Sequence, residues 1–397
     1  MNTSSVPPSR QRNVRRGASQ RGISLIETMV GLTLGMLVTV VILQVWGGFE
    51  DQKSRSVSGS SAQESGLLSL TQIEQDVRNA GAGVTDSAAF DCANIYSYFG
   101  VVGSYVSPVP AYSGGTLAPV KITDGGAGSD TIRAIRATEF LGAIPATITE
   151  TMPSSSSELN VSRTYGFCDG PGSPVASCTK ADVVLVVQGG NCTVMQVTQV
   201  QEAAMKLQHN PGGGTATYNV HPTVRDDPAD PWPAYTTNAK VMKVGQMISH
   251  EFTVNASNQL IMTDYSVPGA SPVSILASDV VKLKAQYGIA PAASQQVNDW
   301  VSATGGWATL DTTESKQIKA IRVAIVARSS KMEISDIEPA STTCPSGVVN
   351  YGPCAWPDTA GDPAPVIDLR SDANWRRYRY RVYQTIIPIR NVIWAGV

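Results

Sequence analysis

The sequence predicts an α+β protein in which one long N-terminal helix precedes a β-rich, disulfide-stapled globular head. Three observations carry this prediction. A continuous apolar run occupies residues 23–46, short β-branched segments separated by turn residues dominate the chain after residue 83, and all six cysteines lie in that later part. The predicted organisation is a basic leader at 1–22, a helix at 23–82 and a head at 83–397.

The composition is that of a folded protein with an acidic body. The chain has 397 residues, of which 42% are hydrophobic and 16% charged, and its formal net charge is −2, so disorder throughout is excluded. No basic stripe dominates, which argues against nucleic acid as a partner. Residues 23–397 hold 25 basic and 32 acidic residues, a formal charge of −7. The leader holds no acid and five arginines: Arg10, Arg12, Arg15, Arg16 and Arg21.

The apolar run is long enough to span a membrane. Ile23–Trp46 contains a single charged residue, Glu27. As an α-helix this run is about 36 Å long, and a bilayer core is about 30 Å thick. Because positively charged flanks stay in the cytoplasm, the leader predicts a single-pass inner-membrane protein with a cytoplasmic N-terminus and a periplasmic head. An ordinary secretory signal fits poorly, since no A-x-A-like site follows Trp46.

Glu27 is the informative residue of this run, because a carboxylate in hydrocarbon is costly and usually has a partner. Two interpretations are open. Glu27 lies near the helix end and extends to the headgroups, or cleavage between Gly22 and Ile23 creates a new amino terminus. In the second case Glu27 is the fifth residue of the mature chain. It would then neutralise the α-amino group of its own chain or of an adjacent subunit.

Gly22–Glu27 (GISLIE), between a basic leader and an apolar run, resembles the type III signal of type IV prepilins and pseudopilins. The resemblance implies a type IV pilin-like fold. It also implies that prepilin peptidase cuts after Gly22 and N-methylates Ile23, and that Glu27 guides packing of the apolar helices in a filament. Major pilins often carry a kinking proline where this chain has Gln44, which leaves the trajectory of the helix open.

Helical periodicity resumes after Gly47-Gly48 and predicts that the second half of the helix packs on the head. Gly81 and Gly83 supply the predicted stop. The residues predicted to face the head recur at spacings of three and four: Leu67, Leu70, Ile73 and Val77.

The remainder of the chain predicts strands and turns. Alternation in Lys319–Ala327 predicts a half-buried strand. Pro388 predicts that the last strand ends, bulges or lies at a sheet edge there. Two stretches, 211–240 and 335–375, are predicted to be long surface loops. The predicted strands are Thr131–Ala137, Asp182–Val187, Val194–Val200, Met242–Val254, Gln259–Val267, Val280–Tyr287, Lys319–Ala327 and Tyr378–Val392.

Several short blocks of the head, in order, resemble PilW-type minor pilins of the type IV pilus. The first is Gly128–Ile132, a GSD tripeptide that opens a strand. The two long loops carry none of the resemblance. The other blocks are Val194–Val200, His209-Asn210, Ala239–Gly245, Asp279–Ile289, Ile318–Ser329 and Tyr378–Asn391.

The six cysteines are predicted to form disulfides, because they lie on the periplasmic side of the span and no C-x-x-C occurs. Six cysteines allow 15 sets of pairs, and the sequence alone leaves the connectivity open. Sequence proximity favours Cys168 with Cys178 and Cys344 with Cys354, which leaves Cys92 with Cys192.

The sequence offers no pattern typical of a catalytic, cofactor or metal site. The three histidines, His209, His221 and His250, show no metal-ligand spacing. The acidic residues Asp226, Asp227 and Asp230 do not follow EF-hand spacing. We therefore expect no enzyme activity, no cofactor and no bound metal.

The function implied by the resemblance is that of a PilW-like minor pilin that primes pilus assembly and forms part of the tip complex. Its implied partners are other minor pilins, the major pilin, a pilus-tip adhesin, prepilin peptidase and the inner membrane, and after assembly it would lie in the pilus at the cell surface. Two alternatives stay open: a minor pseudopilin of the J type from type II secretion, and a membrane-anchored periplasmic enzyme.

Overall fold

A computed structural model describes residues 24–84, 88–89, 92–98, 116–138, 144–152, 158–170, 178, 180–210, 218–219, 233–266, 271–356, 359 and 361–391. The predicted leader at 1–22, and with it Gly22 and Ile23, lies outside these residues. The chain divides into two units, Met1–Ser56 and Val57–Val397.

Helix α1 runs from Leu25 to Arg78. It lies within the predicted range of 23–82 and ends in a turn rather than continuing to residue 82. Gly81 and Gly83 adopt positive φ angles of 75° and 78° in that turn, a conformation that favours glycine and stops the helix. The glycine pair therefore ends the helix as the sequence predicts.

The described part of the head is built mainly from short strands, with one further helix, α2, at Thr312–Gln317. In chain order the strands are β1 (Asn94–Tyr96), β2 (Val120–Thr123), β3 (Thr131–Ala137), β4 (Ala146–Thr147), β5 (Glu158–Asn160), β6 (Val183–Gln188), β7 (Asn191–Gln196), β8 (Gln199–Gln201), β9 (Lys206–Gln208), β10 (Lys240–Lys243), β11 (Met247–Val254), β12 (Gln259–Asp264), β13 (Val273–Ser278), β14 (Val280–Ile289), β15 (Asp299–Val301), β16 (Ile318–Arg328), β17 (Thr342–Thr343), β18 (Val349–Asn350) and β19 (Tyr380–Pro388).

Three larger sheets organise these strands. Sheet I has the order β1-β7-β6-β10-β4, sheet II the order β13-β12-β11-β3-β2, and sheet III the order β15-β14-β16-β19. Neighbouring strands are antiparallel except β1 and β7, which are parallel. The smaller sheets β17-β18 and β5-β9-β8 complete the described head.

The head-packed part of α1 lies over an apolar core shared by all three larger sheets. Ile73 and Val77 of the helix are fully buried in this core together with Leu185 of sheet I, Phe252 of sheet II and Ile321 of sheet III. A second apolar cluster lies between the other face of sheet I and the β5-β9-β8 sheet. Because all three sheets contribute to one core, the described head does not divide into separate sheet domains.

The helix face that meets the head differs from the predicted one at one position. Leu67 is 49% exposed, whereas Gly66 is buried. A Cβ atom at Gly66 would overlap the ring of Tyr383 from β19, so the helix approaches the sheet closely there. The prediction for Leu67 is therefore wrong, because the contact line passes through a glycine rather than through the neighbouring leucine.

Strand β16 is buried on both faces, not on one as its alternation predicts. All of its residues are buried except Arg328. One face packs on the shared core, and Ala324 and Val326 of the other face contact Trp356 and Ile367. β16 is the long inner strand of sheet III, so the prediction of a half-buried strand was wrong.

The stretch 335–375 is not simply a surface loop, because it supplies that second covering layer. Leu369 and Trp375 are buried in the same cluster as Trp356 and Ile367. We call residues 344–375 the cover segment. In the other predicted loop, residues 211–217 and 220–232 lie outside the described residues. Its described residues Asn219 and Tyr235 are buried.

Two predicted strands are each divided in two. Val194–Val200 spans the end of β7 and most of β8, and Met242–Val254 spans parts of β10 and β11 with a turn at Gly245, whose φ is 57°. In contrast, β3 has the predicted bounds. β19 ends at Pro388 on the edge of sheet III, as the proline predicts.

Candidate functional site

The N-terminal part of α1 is the first candidate site, because its apolar surface has no partner among the described residues of its own unit. Leu25–Gly47, 23 residues, is long and apolar enough to cross a membrane by length and composition, and none of it is buried. It is the single helix of this kind among the described residues. Its length as a helix is about 35 Å, which exceeds a bilayer core of about 30 Å.

Glu27 lies in the first turn of α1, where the backbone amides of a helix favour a negative charge. Its side chain is exposed. The predicted amine partner at Ile23 lies outside the described residues, as does Gly22. The pairing of Glu27 with a new amino terminus therefore stays a prediction.

The polar hydroxyls in this part of α1 are satisfied by the helix itself. The Oγ1 atom of Thr33 donates to the carbonyl of Met29 at 3.1 Å, and that of Thr39 donates to the carbonyl of Gly35 at 2.7 Å. Such bonds to the preceding turn remove the need for an outside partner. The surface that this part of the helix offers is therefore mainly apolar, with Glu27 and Gln44 as its polar exceptions.

Two contacts near the end of α1 fix it to the head. The Nδ2 atom of Asn391 donates to the carbonyl of Ala80 at 3.0 Å. His250 of β11 lies between two carboxylates: its Nδ1 is 2.5 Å from Oδ2 of Asp76, and its Nε2 is 3.8 Å from Oδ1 of Asp264. The helix end is thus held by the last strand region and by sheet II.

The GSD tripeptide forms a buried polar junction with β14. Asp130 accepts hydrogen bonds from Nζ of Lys284 at 2.8 Å and from the backbone amides of Ala285 at 2.8 Å and Gly125 at 2.9 Å. Lys284 also donates to the carbonyl of Gly126 at 2.6 Å. Burial raises the pKa of Asp130, and Lys284 and the backbone donors oppose that rise. Two blocks that resemble PilW-type pilins therefore meet at one ion pair.

Arg322 of β16 anchors the cover segment. Its guanidinium lies between the rings of Trp300 and Trp356, with centroid distances of 5.0 Å and 4.5 Å. It donates to Oδ2 of Asp362 at 2.6 Å and to Oε1 of Gln286 at 2.8 Å. A planar cation with several donors can satisfy all of these contacts at once. Arg322 is thus a structural anchor for the outer layer of sheet III.

The structure pairs all six cysteines, and the pairs are those that sequence proximity favours. Cys92–Cys192 joins the segment before β1 to β7 across 100 positions of sequence. Cys168–Cys178 and Cys344–Cys354 each span 10 positions. The last of these closes a loop within the cover segment, so this segment is fixed by a disulfide as well as by Arg322.

The described residues show no arrangement typical of a metal or catalytic centre. No group of three or more His, Cys, Asp or Glu residues there could hold a metal ion. His209 and His250 lie in different parts of the head, and His221 lies outside the described residues. The acidic residues that could bind calcium but lack EF-hand spacing, Asp226, Asp227 and Asp230, also lie outside them.

The residues of the Asp130 and Arg322 junctions lie in segments that the sequence singles out, but their contacts with each other were not predicted. Asp130 and Lys284 both lie in blocks singled out by resemblance, and 154 positions separate them. The alternation in Lys319–Ala327 places Arg322 away from the core face of β16, as observed, but two of its partners, Trp356 and Asp362, belong to a stretch predicted to be a loop. No local pattern indicates either pairing.

Comparison with known proteins agrees with this description. Residues 249–391 match the family model described as Type IV Pilus-assembly protein W. The match extends from β11 to Asn391 and includes all of sheet III, while the resembling blocks before residue 249 lie outside it. No curated protein and no solved structure matches the chain. The match over residues 249–391, which is less than half of the chain, supports a PilW-like type IV pilus protein.

Proposed function

We propose that this chain is a minor pilin that primes assembly of the type IV pilus and forms part of its tip complex. One observation carries the proposal. An apolar helix with no buried residue and a carboxylate in its first turn precedes a head whose residues 249–391 match a pilus-assembly family. A helix of this kind suits first a lipid environment and then a bundle of similar helices.

The proposed pathway begins in the inner membrane. The arginine-rich leader stays in the cytoplasm, Leu25–Gly47 crosses the bilayer and the head enters the periplasm. Disulfides persist in that compartment, which suits the three pairs of the head. Prepilin peptidase then cuts after Gly22 and methylates the new terminus at Ile23.

Assembly then replaces lipid contacts with helix–helix contacts. Because lipid tails are as apolar as the helix, close packing and polar pairing provide the gain. Gly31 and Gly35 have open space where a Cβ would lie, so a neighbouring helix can approach their backbone. Glu27 neutralises a terminal amine in this bundle, where an unpaired charge is costly. The partners are other minor pilins, the major pilin and a tip adhesin.

Mass spectrometry of the mature chain tests this proposal. We expect a chain that starts with N-methylated Ile23 and that occurs in sheared pili at far lower amounts than the major subunit. A chain that keeps residues 1–22 while it assembles normally would overturn the proposed processing. A processed chain found with a type II secretion system and absent from pili would favour the pseudopilin alternative.

A further inference from the structure

A loop of the head presents apolar side chains to solvent although the loop itself is firmly held. The loop connects β16 to the cover segment, and Ile334 at its tip is 90% exposed. Met332 and Ile337 in the same loop are each 37% exposed. Exposed apolar residues that cluster in one loop are typical of a contact surface.

Arginines that precede β19 hold this loop in place. The Nε atoms of Arg377 and Arg376 donate to the carbonyls of Glu333 at 2.8 Å and Glu338 at 3.0 Å. Arg379 pairs with the carboxylate of Glu333 at 2.9 Å. Backbone amides of the loop donate in return to the carbonyls of Arg376 and Arg377. Ile334 is thus exposed on a loop that hydrogen bonds hold in a fixed conformation.

The surface around the loop is cationic, although the body of the protein is acidic. Residues 331–338 and 376–381 together hold five basic and three acidic side chains. Arg379 and Arg381 are exposed. Apolar side chains flanked by exposed basic ones are typical of surfaces that bind anionic lipid.

The loop lies at the end of the head where α1 arrives. Gly66 of α1 contacts Tyr383, and Ala80 contacts Asn391, so the helix and β19 run in the same direction. The start of β19 at Tyr380 is therefore at the incoming end of the helix. Arg328 pairs with Tyr380 in the sheet register, and the loop begins directly after Arg328. We call this end of the head the proximal end.

From these observations we propose that the proximal loop docks on the anionic surface of the membrane that anchors the chain, with Ile334 inserted among the headgroups. Nine residues of chain separate the apolar span, which ends at Gly47, from the head unit, which starts at Val57. This tether keeps the loop at a high effective concentration near lipid. The inference rests on the proposed membrane insertion of α1.

The test uses the full chain in nanodiscs of phosphatidylcholine with or without phosphatidylglycerol. An environment-sensitive dye is attached to Ile334→Cys, and a nitroxide on the lipid headgroups quenches it. The matched control is Ile275→Cys on β13, since Ile275 is also an exposed isoleucine, at 60%. A third label at Val38→Cys reports whether α1 is in the bilayer.

We expect strong quenching at position 334 in discs that contain phosphatidylglycerol and weak quenching at position 275. Adding Arg381→Gln should weaken docking about five-fold, as expected for one basic residue near an anionic surface. Equal quenching at 334 and 275, or quenching that ignores both lipid charge and Arg381, overturns the proposal. Protection of position 334 that requires added pilins would assign the loop to a protein partner instead. Failure of the Val38 label to reach the bilayer would refute the proposed insertion itself.

Discussion

The two units of the chain differ in how their apolar side chains are satisfied. In the head, α1 and the three larger sheets share one core, and a second and a third cluster cover the outer faces of sheets I and III. In Leu25–Gly47, no residue is buried. The head therefore supplies its own stability, whereas under the proposed function the N-terminal part of the helix depends on lipid or on other helices. Substitutions in the head should change its stability, whereas substitutions in the N-terminal region should change processing or assembly.

The largest expected effect is at the predicted cleavage site. Gly22→Ala should leave an unprocessed precursor and sharply reduce piliation, because the resemblance to type III signals implies that the peptidase cuts after a glycine. Immunoblotting distinguishes precursor from mature chain by size. Gly31→Ala is the matched control, since a Cβ there meets nothing in the structure, and it should be processed normally. Mature Gly22→Ala chain at the normal level would refute the assigned site.

The second expected effect concerns Glu27 and separates processing from assembly. Glu27→Ala should be cleaved but should enter pili roughly three- to twenty-fold less, as expected for loss of one polar contact between membrane helices. Glu27→Gln keeps the size and removes the charge. If the glutamine variant assembles like the native chain, the charge has no role. Thermal unfolding of the head should be unchanged in both variants.

The local features of the fold were predictable, and the features that depend on distant segments were not. The bounds of β3 and the glycine stop of α1 follow from nearby residues, as does the edge position of Pro388. The burial of β16 on both faces depends on the cover segment, whose Pro- and Gly-rich sequence resembles a loop. The helix contact at Gly66 was missed because a glycine adds no apolar side chain to a periodic pattern.

Dependence on distant segments also limits what the sequence shows about the sites. The predicted processing site is local and can be proposed from six residues, whereas the Asp130–Lys284 pair joins segments far apart in sequence. Proximity favoured the disulfides that the structure contains because two pairs close short loops, and the third is then the remaining pair. Long-range polar pairs have no comparable rule.

The third prediction tests whether the head is self-sufficient. Asp130→Asn should lower the free energy of unfolding by about 3–5 kcal/mol, because Lys284 is left buried without its carboxylate. Glu158→Gln, which breaks the more exposed pair with Lys206 at 2.9 Å, should cost at most about 1 kcal/mol. Denaturant unfolding measures both. Equal effects would show that the junction at Asp130 does not stabilise the head, and processing should be normal in either variant.

The smallest expected effect lies where α1 meets the head. Gly66→Ala adds a Cβ that would overlap the ring of Tyr383, so the helix or the strand must shift, at a cost of about 1–3 kcal/mol. Gly59→Ala, where a Cβ meets nothing, should instead stabilise the helix by up to about 1 kcal/mol. Combining Gly66→Ala with Tyr383→Leu should cost less than the sum of the two single changes, because the smaller side chain relieves the overlap. Additive costs would mean that the two residues do not share a contact. The described packing of the helix on sheet III would then be wrong.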